Sequence, residues 1–286
     1  MNPPDDMHQR SMVESLFTKE HIDSMRPQIQ KTVGSLLDVI IKEGGSQPVD
    51  LGEKFTIPIP SYTTYNILGV PFSDLERLTA FAAIRGNGSA TASEASNANA
   101  ALLSYIAHLN KDDVIQIAFL LLVAGNATTS STILLRVITL LQHLDQLEFL
   151  KTDPKKWTAP FVELCRFHTV STLTTKRVAK EDVVIGGKLI KAGEGIIAVT
   201  QSGNRDEEVF PNPDTFDMRR LSGKGRRWDL VGESIDVPHS GWLGWSWRLS
   251  TSWQRQPNLK LVIPFEEAKY SPPKKDFGLS ELPVVF

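Results

Sequence analysis

The chain has 286 residues, long enough to bury a sizeable core in one large domain. Hydrophobic residues make up 41% and charged residues 22% of the sequence, ordinary values for a globular protein, and the formal net charge is -2. This charge gives no long-range attraction to nucleic acid or to an anionic membrane. The composition therefore disfavours a nucleic-acid-binding module and predicts partners bound at specific sites.

The sequence carries a single cysteine, Cys165, which excludes an intramolecular disulfide and a multi-cysteine zinc site. Residues 1–10 are polar and lack the apolar core of a signal peptide, and the longest apolar run, residues 117–124, is too short to span a bilayer. These features predict a cytoplasmic protein without a membrane anchor, with a mitochondrial location as the alternative.

The first part of the sequence predicts helices separated by proline and glycine. Apolar residues recur at helical spacing across residues 11–42, where Pro27 predicts a break between two helices. A further helix is predicted over residues 62–70 and ends at Pro71. Residues 86–97, rich in Gly, Ser, Ala and Asn, predict a loop.

The longest predicted helix covers residues 112–144. It is apolar on nearly every face but carries polar residues in its middle, a pattern typical of a buried helix beside a cofactor. A second helix is predicted over residues 158–169. Short strands are predicted after it, around Val178, 183–185, 189–190 and 196–199, with Gly186 and Gly187 as a tight turn. The sequence therefore predicts a mainly α fold with a small β region.

Three separated motifs resemble those of the cytochrome P-450 family. Residues 124–128, Ala-Gly-Asn-Ala-Thr, resemble the alanine-glycine-x-acid-threonine motif of the helix that crosses the haem face. Residues 163–166, Glu-Leu-Cys-Arg, resemble the E-x-x-R motif of the helix behind the haem, and residues 212–220 resemble the meander that follows it. Each motif is weak alone, but their order is specific. The resemblance implies an incomplete cytochrome P-450 fold in one truncated domain, residues 1–286, without the family's N-terminal portion.

The resemblance also implies residues that hold haem and stabilise the core around it. Glu163, Arg166 and Arg220 would form a buried charge triad, in which each charge is tolerated because its partners offset the cost of desolvation. Without the family, Arg177 is typical of an exposed charge at a strand end. The residues expected to contact the haem or, for the lysine, to lie near the nicotinamide entrance are Arg10, Ala124, Gly125, Arg177 and Lys176.

A finer resemblance, in residues 118–128 and 201–210, is to the fungal nitric oxide reductases. Oxygen-activating members of the family place an acid before the threonine to relay protons onto dioxygen. This chain has Ala127 there, and a methyl group cannot act as a general acid. Reduction of nitric oxide by hydride from NADH or NADPH does not need that relay, so the substitution favours a nitric oxide reductase.

The same resemblance implies three catalytic residues. Thr128 would donate a hydrogen bond to a ligand on iron, and Ser171 and Asp276 match the serine and aspartate of the reductase's distal water network. The alternative for Thr128 is a hydroxyl bonded to a carbonyl of its own helix. The alternative for Asp276 is a solvated salt bridge with the flanking Lys274 or Lys275.

Residues 221–253 do not fit the family. Five of the six tryptophans lie there without helical or strand periodicity, and the loop with the haem-binding cysteine is absent. The codons of these residues can be read in a shifted frame, in which each new codon combines the last base of one residue's codon with the first two bases of the next residue's codon. In that frame, residues 228–237 permit phenylalanine-glycine-x-glycine-x-histidine-arginine-cysteine. The pattern predicts that residues 221–253 are out of frame and that the family's frame resumes by residues 254–261.

Two other residues have the chemistry to ligate iron. Cys165 lies in the E-x-x-R helix, where the charge triad would hold it away from the iron, and small buried cysteines are usually packing residues. His239 lies in the anomalous segment, where nothing positions it for a metal. No metal ligand is assigned, and the chain as written is predicted to be inactive.

The resemblance thus implies a haem-dependent oxidoreductase that reduces nitric oxide to nitrous oxide with NADH or NADPH. It implies a monomer whose partner is this small molecule, without nucleic acid or membrane. Two alternatives remain: a cytochrome P-450 monooxygenase, and a non-catalytic remnant that binds no haem. The remnant is expected to be unstable, because the missing parts would leave apolar surface exposed.

Overall fold

Helices dominate the structure, a computed structural model that describes residues 11, 18–44, 47–86, 90–107, 125–151, 158–170, 175–220, 259–270 and 277–285. The strands are short, and the four between residues 175 and 198 lie where the sequence predicts them, whereas those at 49–50, 260–261 and 283–285 were not predicted. The prediction of a mainly α fold with a small β region is confirmed. No helix in the described part of the chain combines the length and the apolarity that a bilayer crossing requires.

One long helix, α1 (Lys19–Gly44), lies where the sequence predicts two. Its buried residues recur three and four positions apart and face the core: Ile29, Val33, Leu37 and Ile40. Pro27 lies inside the helix on its exposed side. The predicted break at Pro27 is therefore wrong, because burial of the apolar stripe outweighs the backbone hydrogen bond that proline cannot make.

Three helices follow in the next part of the chain: α2 (Pro58–Ile67), α3 (Leu75–Gly86) and α4 (Ala92–Ala107). A π-helical turn, Gly52–Thr56, precedes α2. The helix α2 begins at a proline, which suits the first helical position because its N–H would have no partner within the helix.

The loop predicted over residues 86–97 is shorter than expected, because α4 begins at Ala92. The backbone N–H of Thr91 donates to Oε2 of Glu94 at 2.8 Å, and the N–H of Glu94 donates to Oγ1 of Thr91 at 3.2 Å. This reciprocal pair caps the start of the helix. Small residues after it then continue as helix instead of loop.

In the described residues between 125 and 170, three more helices precede the β region: α5 (Ala127–Gln142), α6 (Leu144–Lys151) and α7 (Thr158–Phe167). The long helix predicted over residues 112–144 ends at Gln142, and its portion before Gly125 lies outside the described residues. Helix α7 ends two residues before the predicted boundary, within the usual uncertainty of helix ends.

The described strands form three small antiparallel sheets. Strand β2 (Thr175–Val178) pairs with β5 (Gly195–Ala198), and β3 (Val183–Ile185) pairs with β4 (Lys188–Ile190). The predicted hairpin turn is confirmed, since Gly186 and Gly187 have φ of 57° and 77°, which only glycine adopts readily. A short helix, α8 (Thr200–Gly203), follows β5. The third sheet has the order β1 (Val49–Asp50), β7 (Pro283–Val285) and β6 (Lys260–Leu261).

The largest apolar core cluster joins α1, α5 and the sheet that contains β7. Leu135 and Ile138 of α5 are fully buried in it, as are Leu282 and Val284 near the end of the chain. Helix α5 therefore lies in the interior and contacts both the first helix and the last strand. The assignment of residues 1–286 to a single domain stays a prediction.

Replacing Pro27 by alanine should raise the free energy of unfolding, because alanine restores the missing backbone donor inside α1. We expect a gain of about 1–3 kcal/mol, measured by urea denaturation. The matched control is Pro58→Ala at the first position of α2, where proline is well accommodated and no gain is expected. Equal effects of the two substitutions would contradict this account of α1.

Candidate functional site

A buried carboxylate, Glu163 of α7, lies at the centre of the predicted charge triad. Its side chain is fully buried and accepts hydrogen bonds from Nε and Nη2 of Arg166 at 2.7 and 2.8 Å. Nε of Arg220 approaches Oε1 of the same carboxylate to 3.2 Å, and the backbone N–H of Asp217 also donates to Oε1. The structure thus brings the three predicted residues together, with one negative charge between two positive ones.

The two arginines also bind backbone carbonyls of the segment 204–220, which has little regular secondary structure. Nη1 of Arg166 donates to the carbonyls of Asn204 and Pro213, each at 2.8 Å, and its guanidinium lies over the ring of Phe210. Arg220 donates to three carbonyls, those of Pro211, Asn212 and Thr215. Since guanidinium groups carry five donors in a fixed geometry, the pair positions this segment as well as neutralising the carboxylate.

Polar contacts fix the first turns of α5 against α2 and the π-helical turn. The hydroxyls of Thr56 and Ser130 are 2.8 Å apart, and Ser61 Oγ donates to Oδ1 of Asn126 at 3.3 Å. A Cβ on Gly125 would lie 3.3 Å from Oγ1 of Thr64, closer than most Cβ contacts. Gly125 therefore permits a close approach of α2, which is a packing role beside the predicted contact with a cofactor.

Thr128 lies in the first turn of α5 and is partly buried. Its carbonyl accepts a hydrogen bond from Oγ1 of Thr132 at 2.6 Å, and Thr129 Oγ1 donates to the carbonyl of Gly125 at 2.6 Å. The hydroxyls of Thr129 and Thr132 thus bond to carbonyls of their own helix, which is also the alternative role for the hydroxyl of Thr128. The catalytic assignment of Thr128 stays a prediction.

The sequence neighbours of the three predicted catalytic residues contact each other. The backbone N–H of Phe277 donates to the carbonyl of Val170 at 2.6 Å, and Gly278 packs directly against Ser131 of α5. Ser171 and Asp276 adjoin Val170 and Phe277 in sequence but lie outside the described residues, as do Arg10 and Ala124. The first turn of α5, the chain after α7 and the C-terminal segment therefore converge in one place.

The two predicted basic contacts on β2 lie at the surface. Lys176 and Arg177 are both exposed, and Nη1 of Arg177 donates to the carbonyl of Lys176 at 3.0 Å. In the antiparallel pair with β5 they lie opposite Ile197 and Ile196. The exposure of Arg177 agrees with the alternative interpretation, a charge at the end of a strand. The contact of Arg177 with a haem propionate and the place of Lys176 near the nicotinamide entrance stay predictions.

A histidine that the sequence analysis did not single out, His168, lies at the end of α7 against α5. Thr139 Oγ1 donates its only hydrogen to the carbonyl of Leu135 at 2.6 Å, so it must accept a hydrogen bond from Nε2 of His168 at 2.5 Å. The proton of the neutral ring is therefore on Nε2. Burial, with the nearby charges of Arg205 and His143, lowers the pKa of His168 to about 4.

Replacing Glu163 by glutamine should lower the free energy of unfolding by about 3–5 kcal/mol, because it leaves two largely buried guanidinium groups without their counter-charge. Thermal and urea unfolding would measure the change. Glu281→Gln is the matched control, since its partner Lys269 is largely exposed and surface pairs contribute little. Equal losses in the two variants would show that Glu163 has no special role.

The neutral His168 should make stability depend on pH. Its folded-state pKa of about 4 lies below the usual value near 6.5, so the unfolded chain takes up the proton first as the pH falls. Stability from this group is complete above pH ~6.5 and is lost towards pH ~4, by about 3 kcal/mol in total.

The pH effect can be isolated with His168→Gln, which retains a side-chain donor for Thr139 but does not titrate. Unfolding free energies measured between pH 4 and 7 should fall less steeply in this variant than in the parent chain. If His168→Gln leaves the pH dependence of the unfolding free energy unchanged, the interpretation of His168 as a neutral, buried ring is wrong.

Comparisons with known proteins place the whole chain in one family. The sequence profile described as Cytochrome P450 matches residues 158–246. The chain is 46% identical to cytochrome P450 55A3 of Fusarium lichenicola, over 99% of this chain and 76% of that protein. It is 30% identical to the vitamin D3 dihydroxylase of Streptomyces griseolus, over 100% of this chain and 76% of that protein.

Solved structures give the same result for the fold. The crystal structure of GfsF superposes with a TM-score of 0.89 at 30% identity, covering all of this chain and 79% of that one. The crystal structure of cytochrome P450 MoxA from Nonomuraea recticatena gives a TM-score of 0.90 at 29% identity, with 77% of its chain covered. The described helices and sheets therefore have the arrangement found in cytochromes P450.

The family implies a haem held by a cysteine thiolate, and this chain does not supply that ligand. Its single cysteine, Cys165, lies on α7, and its Sγ accepts a hydrogen bond from Nη2 of Arg136 on α5 at 3.4 Å. Cys165 is thus engaged in a contact between two helices, one residue from the buried Arg166, and does not fit the role of axial ligand. By sequence identity, coverage and fold, the chain belongs to the cytochrome P450 family of haem-thiolate oxidoreductases, although its own sequence lacks the haem-binding cysteine.

Proposed function

We propose that the uninterrupted reading frame of this gene encodes a haem-dependent nitric oxide reductase that uses NADH or NADPH, and that the chain as written is an inactive form of it. The proposal combines the family membership with the codon pattern of residues 221–253, which permits the complete haem-cysteine motif in a shifted frame. The similarity to a cytochrome P450 from a fungus supports the fungal branch.

The observation that carries the choice of reaction is Ala127, the first residue of α5. It stands directly before Thr128, where oxygen-activating relatives place a carboxylic acid. An alanine can neither accept nor deliver a proton, so this helix is poorly suited to the scission of dioxygen. Nitric oxide reduction needs only one proton besides the hydride: two nitric oxide molecules, one hydride and one proton give one nitrous oxide and one water.

The proton of this reaction would reach the site through Thr128, Ser171 and Asp276. The contacts of Ser131 with Gly278 and of Val170 with Phe277 support this assignment, because they join the three chain segments that carry these residues. A hydroxyl can both accept and donate a proton, so a threonine and a serine beside a carboxylic acid form a workable relay. We further propose that the protein acts as a monomer in the cytoplasm or in mitochondria.

Two other functions are each favoured by an observation. Relatives near 30% identity include a vitamin D3 dihydroxylase and a pentalenic acid synthase, which favours a monooxygenase acting on an organic substrate. The contact between Cys165 and Arg136 favours a remnant without haem, because it leaves no thiolate for the iron. The choice among the three depends on the reading frame and on the reaction of the restored protein.

The test compares the chain as written with a form in which residues 221–253 are read in the shifted frame. We expect the restored form to show the reduced carbon monoxide difference spectrum of a thiolate-bound haem, and the chain as written to lack it. With nitric oxide and NADH or NADPH, only the restored form should produce nitrous oxide, measured by gas chromatography. Serine in place of the restored cysteine is the matched control and should abolish both signals.

Each alternative predicts a different result. A restored form that consumes dioxygen, hydroxylates an organic substrate and makes no nitrous oxide would establish the monooxygenase instead. A thiolate spectrum from the chain as written would refute the shifted frame. Sequencing of the transcript across the codons for residues 221–253 shows which of the two forms the cell makes.

A further inference from the structure

The C-terminal segment approaches α5 without space for a side chain at Gly278. A Cβ placed on this buried glycine would lie 2.9 Å from Cβ of Ser131 and 2.6 Å from its Oγ, distances that real Cβ atoms essentially never show. The next nearest atom, Cα of Ser131, would lie at an ordinary 3.8 Å. The separation of the two segments is therefore set by the side chain of one serine.

A second set of contacts holds the same segment from the other side. The N–H of Phe277 donates to the carbonyl of Val170 at 2.6 Å, which joins the C-terminal segment to the chain after α7. The ring of Phe277 stacks on Tyr270 at 5.3 Å between centroids and lies nearly parallel to His168 at 6.5 Å. His168 in turn bonds to Thr139 of α5. The segment is thus attached to α5 both directly and through the end of α7.

We propose that Gly278 is a positioning residue for the proton relay of the proposed function: its lack of a side chain lets the segment that begins at Phe277, directly after Asp276 in the sequence, lie against the start of α5, which carries Thr128. The inference rests on the proposed function for the identity of the relay. Gly278 itself touches Ser131 and no reacting atom, so its effect on chemistry is indirect.

The geometry of the backbone explains why this one contact matters. Thr128 and Ser131 are three residues apart in α5, so they lie on neighbouring parts of one helix face. Asp276 directly precedes Phe277 in the sequence, and consecutive Cα atoms are about 3.8 Å apart, so a displacement of Phe277 is transmitted through the backbone to this neighbour. A displacement of the segment by even part of an ångström would weaken hydrogen bonds, which depend steeply on distance and angle.

The experiment substitutes Gly278→Ala in the full chain and measures amide hydrogen exchange residue by residue by NMR. We expect exchange at the Phe277 amide to become at least about tenfold faster, because the displaced segment loses its bond to Val170. The Leu51 amide, which donates to the carbonyl of Leu282 at 3.0 Å, should keep its protection and so reports any global loss of structure.

Two further variants separate the close approach from a general effect of adding a methyl group. Gly195→Ala is the matched control, since a Cβ there meets no atom within 4 Å, and it should leave the Phe277 amide unchanged. The double variant Ser131→Gly with Gly278→Ala removes the clashing atoms and should restore protection. Unchanged exchange in Gly278→Ala, equal loss at Leu51, or no rescue by Ser131→Gly would each overturn the proposal.

The effect on activity is measured in the form in which residues 221–253 are read in the shifted frame. Gly278→Ala should lower kcat for nitrous oxide formation while the KM for NAD(P)H and the haem content stay constant, and the double variant should recover kcat. An unchanged kcat would overturn the positioning role even where the exchange result holds. If the parent restored form makes no nitrous oxide, the proposed function fails, and the exchange measurements still decide whether Gly278 sets the position of the segment.

Discussion

The buried carboxylate of Glu163 is the interaction on which the surrounding structure depends. A single ionised group in the interior is costly unless hydrogen-bonded opposite charges surround it, and here two guanidinium groups and a backbone N–H satisfy it. The remaining donors of Arg166 and Arg220 reach carbonyls of residues 204–215. A stretch with little helix or strand of its own is thereby held in one conformation.

Helix α5 connects this cluster to the rest of the molecule. At its start Ser130 bonds to the π-helical turn and Asn126 bonds to α2, Ser131 meets the C-terminal segment, and Thr139 binds His168 at the end of α7. Leu135 and Ile138 are fully buried in the main core. Because one rigid helix makes all these contacts, the parts of the candidate site are held at fixed separations from one another.

This chain keeps the framework of the fold without the cysteine ligand for the iron. Glu163, Arg166 and Arg220 adopt a complete ion-pair cluster, and the solved relatives superpose closely, although the sequence lacks the haem-binding cysteine. Such packing interactions do not require the thiolate. Membership of the family therefore follows from this chain, although the chain supplies no thiolate for a haem iron.

Local patterns in the sequence determined the helical class, the hairpin at Gly186 and Gly187, and the motif that contains Glu163 and Arg166, because these depend on neighbours within a few residues. Two predictions from the sequence were wrong. The predicted helix break at Pro27 is absent because burial of the apolar face keeps one helix intact, and the predicted loop is shorter because Thr91 caps a helix. Only the tertiary structure decided the tautomer of His168 and the close approach at Gly278. Both depend on partners from remote parts of the chain, Thr139 and Ser131, and no local pattern encodes such a contact.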